Sequence, residues 1–349
     1  MRQTLFRPLV VALGMASATL PGMASAQAQP AATSGNVVLY GLVDAYMGSM
    51  RRSDQPGRTA VVNSGGMNTA FWGIRGSEDL GGGLQALFSL ESFFQVDAGT
   101  NGRNATDPYF SKNSWVGLAN QYGQLSLGRQ TNPLYLATGA FNPFGGSLQL
   151  SPLMLQTWSP NYNRAVLGDS VWDNTIQYGS PDVNGFRANA LYTFGESQTS
   201  TGVRNFNLTV NYAKGPFAAV VSGQQAKTGP GFTTAIGSQK VGMGGASYDF
   251  RVLRLYGTFS RSRTPDLRAT SDTTQLGVAV PAGLGRVMAS ASHTLREATS
   301  APDTTRNTYA LGYGYDLSKR TDLYAVYLRD RATGFGGQNS FAVGMRHRF

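Results

Sequence analysis

The sequence predicts an all-β fold, specifically a 16-stranded antiparallel transmembrane β-barrel with an inward-folded third loop. Short segments that alternate apolar and polar residues recur over 37–349, and polar or glycine-rich breaks separate them. The mature chain has no apolar run long enough for a helical span. One alternating segment would also fit a soluble sandwich. Alternation along a whole chain, with no compact core left over, favours a wall with lipid outside and a polar lumen inside.

The N-terminal residues have the pattern of an export signal. Two arginines precede a short apolar stretch over 9–20, and a small-x-small pattern ends at Ala26. The stretch is too short to span a bilayer as a helix, which disfavours a membrane anchor. We therefore expect a signal peptide over 1–26, export through the Sec pathway and a barrel over 27–349. Cleavage after Ala28 is the alternative.

The composition excludes several chemistries. Without cysteine, the chain has no disulfide, thiolate metal site or thiol nucleophile. It has two histidines, His293 and His347, and strand parity places both on outward faces, away from any partner for catalysis. We therefore expect no catalytic residue, no metal and no cofactor. The formal net charge of +10 fits basic side chains at the rims that contact lipopolysaccharide phosphates, and no motif indicates a nucleic-acid partner.

Strand 205–213 shows the alternation most clearly. Phe206, Leu208 and Val210 share one face, while Asn207 and Thr209 share the other. Because successive side chains of a strand point to opposite faces, the first set is expected to meet lipid and the second to meet water.

Short turns and long polar stretches alternate, which sets the strand count. Seven short turns are expected at 79–83, 120–123, 179–185, 214–216, 249–252, 281–285 and 316–320. Eight longer loops are expected at 51–68, 97–110, 130–170, 196–204, 226–239, 262–273, 297–306 and 330–340. Fifteen connections join sixteen strands, and an even count with long loops on one side is the outer-membrane pattern. An open edge would leave unpaired amides in hydrocarbon, so the first strand should pair with the last.

Seven short motifs occur in order along the mature chain. They are 38–45 (VLYGLVDA), 72–84 (WGIRGSEDLGGGL), 90–92 (LES), 115–118 (WVGL), 127–130 (LGRQ), 318–321 (SKRT) and 346–349 (RHRF). As an ordered set they resemble the general porins of β- and γ-proteobacteria, especially the neisserial and Burkholderia-type branch. The resemblance implies a homotrimer of sixteen-stranded barrels in the outer membrane that passes small hydrophilic solutes. The final Phe349 resembles the signal read by the barrel-assembly machinery, and it also fits a lipid-facing strand end.

The third loop, 130–170, is long and rich in leucine and aromatic residues, so we expect it to fold into the lumen and bury them. In the family this loop usually carries carboxylates that face arginines on the wall. Here 130–168 contains no Asp or Glu, and its one charged residue is Arg164. Two wall positions where the family often has arginine are Phe71 and Val171. The resemblance therefore implies a weakened transverse field.

The charges that remain predict the selectivity of the bore. Lys112 occupies a third family arginine position, and Arg75 lies on the same strand face as Phe71. With Arg164 they predict a constriction of net positive character and a modest preference for anions. Asp44 and Glu91 are expected to face inward, where they either offset that charge or pair with an arginine of a neighbouring strand.

Arg129 falls on the outward face, where a charge near the bilayer midplane is costly. It is therefore expected at the rim or in a subunit contact, and the resemblance implies a contact with the second loop of an adjacent subunit.

Three other functions stay open from the residues alone. A channel specific for phosphate or small carboxylates is compatible with the carboxylate-free third loop. An enzyme on a barrel, such as an outer-membrane hydrolase, lacks a base near a nucleophile. A receptor or adhesion role of the surface loops would leave no readable pattern.

Overall fold

The computed structural model describes residues 36–195 and 204–349. The expected signal peptide and most of the expected loop at 196–204 lie outside these described residues. Within them, seventeen strands form one antiparallel sheet whose first and last strands are paired. None of the described helices is long and apolar enough to cross a membrane.

The described strands follow one another along the chain, with α-helices in one connection and a 3₁₀ turn, Pro265–Leu267, in another. Strands of the first half are β1 (Asn36–Met50), β2 (Thr59–Ser64), β3 (Phe71–Gly81), β4 (Leu84–Phe93), β5 (Asn113–Asn120), β6 (Gly123–Thr131), β7 (Val171–Gly179) and β8 (Phe186–Thr193). Those of the second half are β9 (Phe206–Lys214), β10 (Phe217–Ala226), β11 (Gln239–Asp249), β12 (Arg254–Thr264), β13 (Ala269–Ala282), β14 (Gly285–Ala298), β15 (Ala301–Asp316), β16 (Thr321–Ala332) and β17 (Gln338–Arg348).

The seventeen described strands occupy sixteen strand positions in the barrel, because β2 and β3 together fill one position beside β1. β3 pairs with the first half of β1, from Asn36↔Ser77 to Leu42↔Phe71, and β2 pairs with the second half. The six residues between them, 65–70, leave the ladder. The expected loop over 51–68 is therefore wrong in part, because 59–64 continues the wall above this interruption. The predicted number of sixteen barrel strands is confirmed.

Closure pairs the first described strand with the last. β1 pairs with β17 from Leu42↔Arg348 to Ser49↔Phe341, as predicted. Beyond this ladder, Gly41 and Phe349 exchange two backbone hydrogen bonds of 3.1 Å. A side chain at position 41 would collide with the Phe349 ring, since an added Cβ would lie 2.5 Å from Cζ. Glycine at this position therefore lets the last residue cover the first strand.

The alternation predicted for 205–213 is confirmed in β9. Phe206 and Leu208 are each 45% exposed, while Asn207 and Thr209 are buried. The same pattern continues around the wall, so exposed apolar side chains form the outer surface. Leaving these groups exposed is unfavourable in water and favourable in lipid, which is why the strands read as a membrane barrel.

The seven short turns lie where the sequence placed them, but three of the later loops are shorter than expected. β14 and β15 are joined by 299–300 alone, β12 and β13 by 265–268, and β16 and β17 by 333–337. The strands extend beyond the apolar band because polar side chains pair across them. Examples are Arg261 Nη2 with Asp272 Oδ2 at 2.5 Å and Thr273 with Thr294 at 2.8 Å.

The third loop, residues 132–170 between β6 and β7, contains α1 (Pro133–Ala140), α2 (Pro152–Trp158) and a 3₁₀ turn at Pro160–Tyr162. Asn132 and Ser151 cap the two helices with their side chains, and proline begins each of them. α1 packs against β9 and β10, and α2 against β13 to β15.

Hydrogen bonds join the third loop to inward-facing side chains of the wall, which alternate along each strand with the lipid-facing ones. Asn132 Nδ2 donates to Gln224 Oε1 at 2.7 Å, and Gln156 Nε2 donates to Thr308 Oγ1 at 2.8 Å. Phe144 of the same loop belongs to a buried apolar cluster with Tyr324 and Val326 of β16. The loop thus buries its apolar residues against the face of the sheet that points away from lipid.

Candidate functional site

Three wall residues that the sequence nominated separately, Phe71, Arg75 and Lys112, lie in one cluster around a fourth, Glu91. Lys112 Nζ lies 2.8 Å from Glu91 Oε1 and 3.6 Å from the centre of the Phe71 ring. Tyr40 donates a 2.6 Å hydrogen bond to the same carboxylate oxygen. The Arg75 guanidinium stacks on the Tyr40 ring, with its carbon 4.7 Å from the ring centre. Both bore cations therefore rest on aromatic faces, an attractive arrangement for a cation.

Strand register explains this assembly. Gly73 lies opposite Glu91, and Glu91 lies opposite Asn113 across the next ladder. An added Cβ at Gly73 would lie 2.7 Å from Glu91 Cγ, so the carboxylate side chain occupies the space that the glycine leaves. The Asn113 amide donates a further hydrogen bond to Glu91. Glu91 is thereby almost fully buried and held by three donors.

The cluster divides the two cations into a paired one and a free one. Lys112 is neutralised by Glu91, in agreement with the expectation that this carboxylate offsets positive charge or forms a salt bridge; its partner is a lysine rather than an arginine. Arg75 is exposed, and within 36–195 and 204–349 it forms no ion pair. The positive character expected of this part of the wall therefore rests on Arg75.

Asp44 does not belong to this cluster. It is completely buried (0% exposed), and its carboxylate accepts hydrogen bonds from the backbone N–H groups of Gly66, Met67 and Asn68 at 2.8–3.0 Å. Of the two expected outcomes, the arginine partner is wrong, because Arg346, which lies opposite Asp44 in the ladder, pairs with Asp322 at 3.0 Å. Asp44 instead closes the interruption between β2 and β3, where unpaired N–H groups need an acceptor.

Two further residues nominated for the constriction lie elsewhere. Arg164 donates to the carbonyl oxygen of Pro230, which joins the third loop to the connection between β10 and β11. Val171 is only 2% exposed and pairs with Thr131 at the start of β7. Neither residue is brought to the Glu91 cluster.

Arg129 makes its contacts within its own chain. Its guanidinium lies 2.5 Å from Asp173 and donates to the carbonyl oxygen of Ser111 at 2.9 and 3.0 Å. These partners compensate the charge of an outward-facing arginine and keep most of its side chain covered.

A salt bridge at the base of the third loop was not anticipated. Arg103, in the second loop, donates to both oxygens of Asp169 at 2.7 and 2.8 Å and to both oxygens of Asp107 at the same two distances. Burial alone would raise the pKa of Asp169, but the hydrogen bonds and charge of Arg103 lower it below its usual value. Asp107 and Asp169 lie in loops, outside the alternating pattern of the strands. The sequence therefore did not predict their salt bridges with Arg103.

The possible metal ligands and the two histidines of the described residues do not form one site. No group of three or more His, Cys, Asp or Glu side chains suited to a metal ion occurs in the part of the chain that the structure describes. His293 is exposed and contacts Asn307 Oδ1 at 2.8 Å, and His347 contacts Thr321 Oγ1 at 2.8 Å. Both histidines therefore contact side chains of neighbouring strands on the outer wall.

A closed antiparallel barrel with an apolar exterior, polar inner positions and a loop packed against its inner face defines an outer-membrane channel protein. The chain belongs to the Gram-negative porin family, whose model matches residues 11–334. Porins are channels rather than enzymes, and the protein resides in the outer membrane, where it forms a water-filled diffusion channel.

Relatives of this chain are similar over nearly its whole length. An outer-membrane porin of Bordetella pertussis is 29% identical, covering 96% of this chain and 99% of the relative. Outer membrane porin protein 32 of Delftia acidovorans is 31% identical over 96% of this chain and 99% of its own. Among solved structures, the anion-selective porin from Comamonas acidovorans superposes with a TM-score of 0.74 at 27% identity, covering 90% of this chain and 100% of that one. OmpT of Vibrio cholerae in its trimer form shares the fold, with a TM-score of 0.67.

Proposed function

We propose that the mature barrel, 27–349, assembles as a homotrimer whose three bores pass small hydrophilic solutes with a modest preference for anions. The observation that carries the preference is the charge balance of the wall, in which Glu91 neutralises Lys112 and Arg75 keeps its charge unpaired. The third loop adds no carboxylate over 130–168 to oppose it.

The interaction energy between Arg75 and a passing ion fits a preference for anions and not exclusive selection. Two unit charges at 4 Å interact by about 1 kcal/mol in bulk water and about 4 kcal/mol at an effective dielectric constant of 20. One exposed arginine in a wet bore lies near the lower figure. The anion-selective porin that this chain resembles supports the same sign of selectivity.

Zero-current potentials in planar bilayers test the preference. Purified protein under a potassium chloride gradient should give a potential of the anion-preferring sign, and Arg75→Gln should move it toward zero. Arg263→Gln is the matched control, because Arg263 is an exposed arginine opposite Lys240 on the outer wall. A clear cation preference of the native channel would overturn the proposal.

The subunit number is tested separately. Sedimentation of detergent-solubilised protein, corrected for bound detergent, should give three times the mass of the mature chain. The trimer form of the Vibrio cholerae OmpT fold supports this expectation, and a stable monomer would contradict it. We further propose that the barrel contacts lipopolysaccharide in the outer leaflet and that Phe349 is the signal read by the barrel-assembly machinery.

A further inference from the structure

A cavity of about 150 Å³ lies between the third loop and the inner wall of β13 to β16. Tyr162 and Asn163 line it from the loop, Arg296 and Arg306 from neighbouring wall strands, and Phe335 from the connection after β16. The volume corresponds to about five water molecules. It is therefore large enough for a small organic solute.

Charge in this cavity is not balanced. Arg306 is held by Asp330 at 2.6 Å and by Asp54 at 3.2 Å, and its guanidinium carbon lies 4.3 Å from the Tyr162 ring centre. Asp54 is the one carboxylate of the lining, and it also contacts Arg52. Arg296 has no carboxylate partner within the described parts of the chain. The lining thus keeps one uncompensated positive charge.

The third loop holds Arg296 in position. Asn163 adopts a left-handed backbone conformation, with φ of 52°, at the end of the 3₁₀ turn. Its side-chain oxygen accepts a 2.8 Å hydrogen bond from Arg296 Nη1. Asparagine tolerates this conformation better than most residues, so the turn directs a neutral acceptor at the guanidinium. One edge is fixed while the remaining N–H groups keep the planar fork that recognises a carboxylate.

The rest of the lining suits the other end of such a solute. Ser271 and Thr304 contribute hydroxyl groups, which can donate to a carboxylate oxygen, whereas the Thr333 hydroxyl pairs with Thr305. Phe335 is 53% exposed and offers an apolar face. An inorganic anion would use the arginine and the hydroxyl groups but leave this face unused.

We propose that this cavity, between Asn163 of the third loop and Arg296 of β14, is a binding subsite for small organic monocarboxylates on the long-loop side of the bore. The inference rests on the proposed function, since it supplies a solute class to an anion-preferring channel. Diffusion through the bore would then be accompanied by saturable occupancy.

The test uses purified channels in planar bilayers, with propionate added on the long-loop side at constant ionic strength. We expect a saturable decrease in single-channel current, and Arg296→Gln should raise its half-maximal concentration about tenfold, the effect of losing one charge-assisted contact. Propionamide, the neutral analogue of similar shape, should not block. Arg296→Lys should be intermediate, because it keeps the charge and loses the fork.

A second readout does not depend on conduction. Saturation-transfer NMR of propionate with detergent-solubilised protein should show contact signals that Arg296→Gln weakens and Arg263→Gln retains. Equal half-maximal concentrations in the native channel and in Arg296→Gln would overturn the subsite, as would block by propionamide at the same concentration as propionate.

Failure of the subsite and failure of the proposed function give different results. A native channel of anion-preferring sign without saturable block loses only the subsite. Arg75→Gln should lower the zero-current potential and keep the half-maximal propionate concentration. A native channel with cation preference removes the proposed selectivity, whatever the NMR signals show.

Discussion

The Tyr324 hydroxyl donates a 2.6 Å hydrogen bond to Oδ1 of Asp44, joining β16 to β1 inside the barrel. The same carboxylate accepts hydrogen bonds from the backbone N–H groups of Gly66, Met67 and Asn68. One buried group therefore fixes the segment 65–70, which interrupts the wall between β2 and β3. Ser147 of the third loop in turn donates to the carbonyl oxygen of Gly66 at 2.5 Å. Asp44 thereby supports the segment on which the third loop rests.

The first prediction concerns that hydrogen bond. Tyr324→Phe removes one donor to a buried carboxylate and should lower the free energy of unfolding by about 1.5–3 kcal/mol. The measurement is the urea midpoint of the folded barrel by heat-modifiable gel mobility. Tyr327→Phe is the control, because Tyr327 is 42% exposed on the outer wall. Equal midpoints for the two variants would contradict the assigned role of Asp44.

The second prediction concerns charge balance at Glu91. Glu91→Gln leaves Lys112 without its counter-ion, so the bore gains one positive charge and the anion preference should rise about fivefold, the equivalent of about 1 kcal/mol. Zero-current potentials measure this change. The double variant Glu91→Gln with Lys112→Gln restores the native charge and should restore the native potential. A double variant that stays at the Glu91→Gln value would refute the neutral pair.

The third prediction concerns space at Gly66. An added Cβ there would lie 2.0 Å from the Tyr324 hydroxyl oxygen. Gly66→Ala should therefore displace the ring, disturb the contact with Asp44 and destabilise the barrel by about 1–3 kcal/mol. At Gly242 an added Cβ meets nothing within 4 Å, so Gly242→Ala is the matched control. The urea midpoints of the two variants are compared. Equal midpoints for Gly66→Ala and Gly242→Ala would contradict close packing of Gly66 against Tyr324.

The fourth prediction concerns pH and the link between Arg103 and Asp169. Because the pKa of Asp169 in the folded state lies below its unfolded value, the stabilisation is complete above the unfolded value of about 3.9. It is lost as the pH falls through the lower folded value. Current noise from third-loop movement should therefore rise below about pH 4.

A matched variant separates Asp169 from general acid effects. Asp169→Asn should show the increased noise already at neutral pH and little further change on acidification. Asp173→Asn is the control, since it removes a more exposed carboxylate of the same region that lies 2.5 Å from Arg129, whereas Asp169 lies 3.9 Å from that guanidinium. Noise that rises with acid to the same extent in Asp169→Asn and in the native channel would contradict the prediction.

The positions of the strands could be predicted because a membrane wall imposes a period of two on every segment. In β9 that period identified the lipid-facing residues and the buried polar ones correctly. The pairing of β1 with β17 followed from the cost of an open edge in hydrocarbon. The extracellular ends were predicted less well, since the polar ladders of β14 and β15 continue above the lipid, where no hydrophobic pattern marks them.

The partners of the inward charges could not be predicted from parity. Parity placed Asp44 and Glu91 on the same face of the wall, but it contains no information on distances across the lumen. Glu91 meets a lysine because Gly73 leaves room beside it, whereas Asp44 meets backbone N–H groups because 65–70 leaves the ladder. Tyr40 lies on the same strand face as Asp44 and could have been nominated by the same rule.

The sequence alone determined the closed barrel, its sixteen strands and the two faces of its wall. These features follow from local periodicity and from the need to pair every backbone group in lipid. Only the tertiary structure decided which charges are cancelled and which remain free. Pairing of Lys112 with Glu91, which leaves Arg75 as the unpaired cation beside them, depends on the register of β3, β4 and β5 and on the space beside Gly73. The contact of Arg296 with a neutral asparagine depends on where the third loop meets β14.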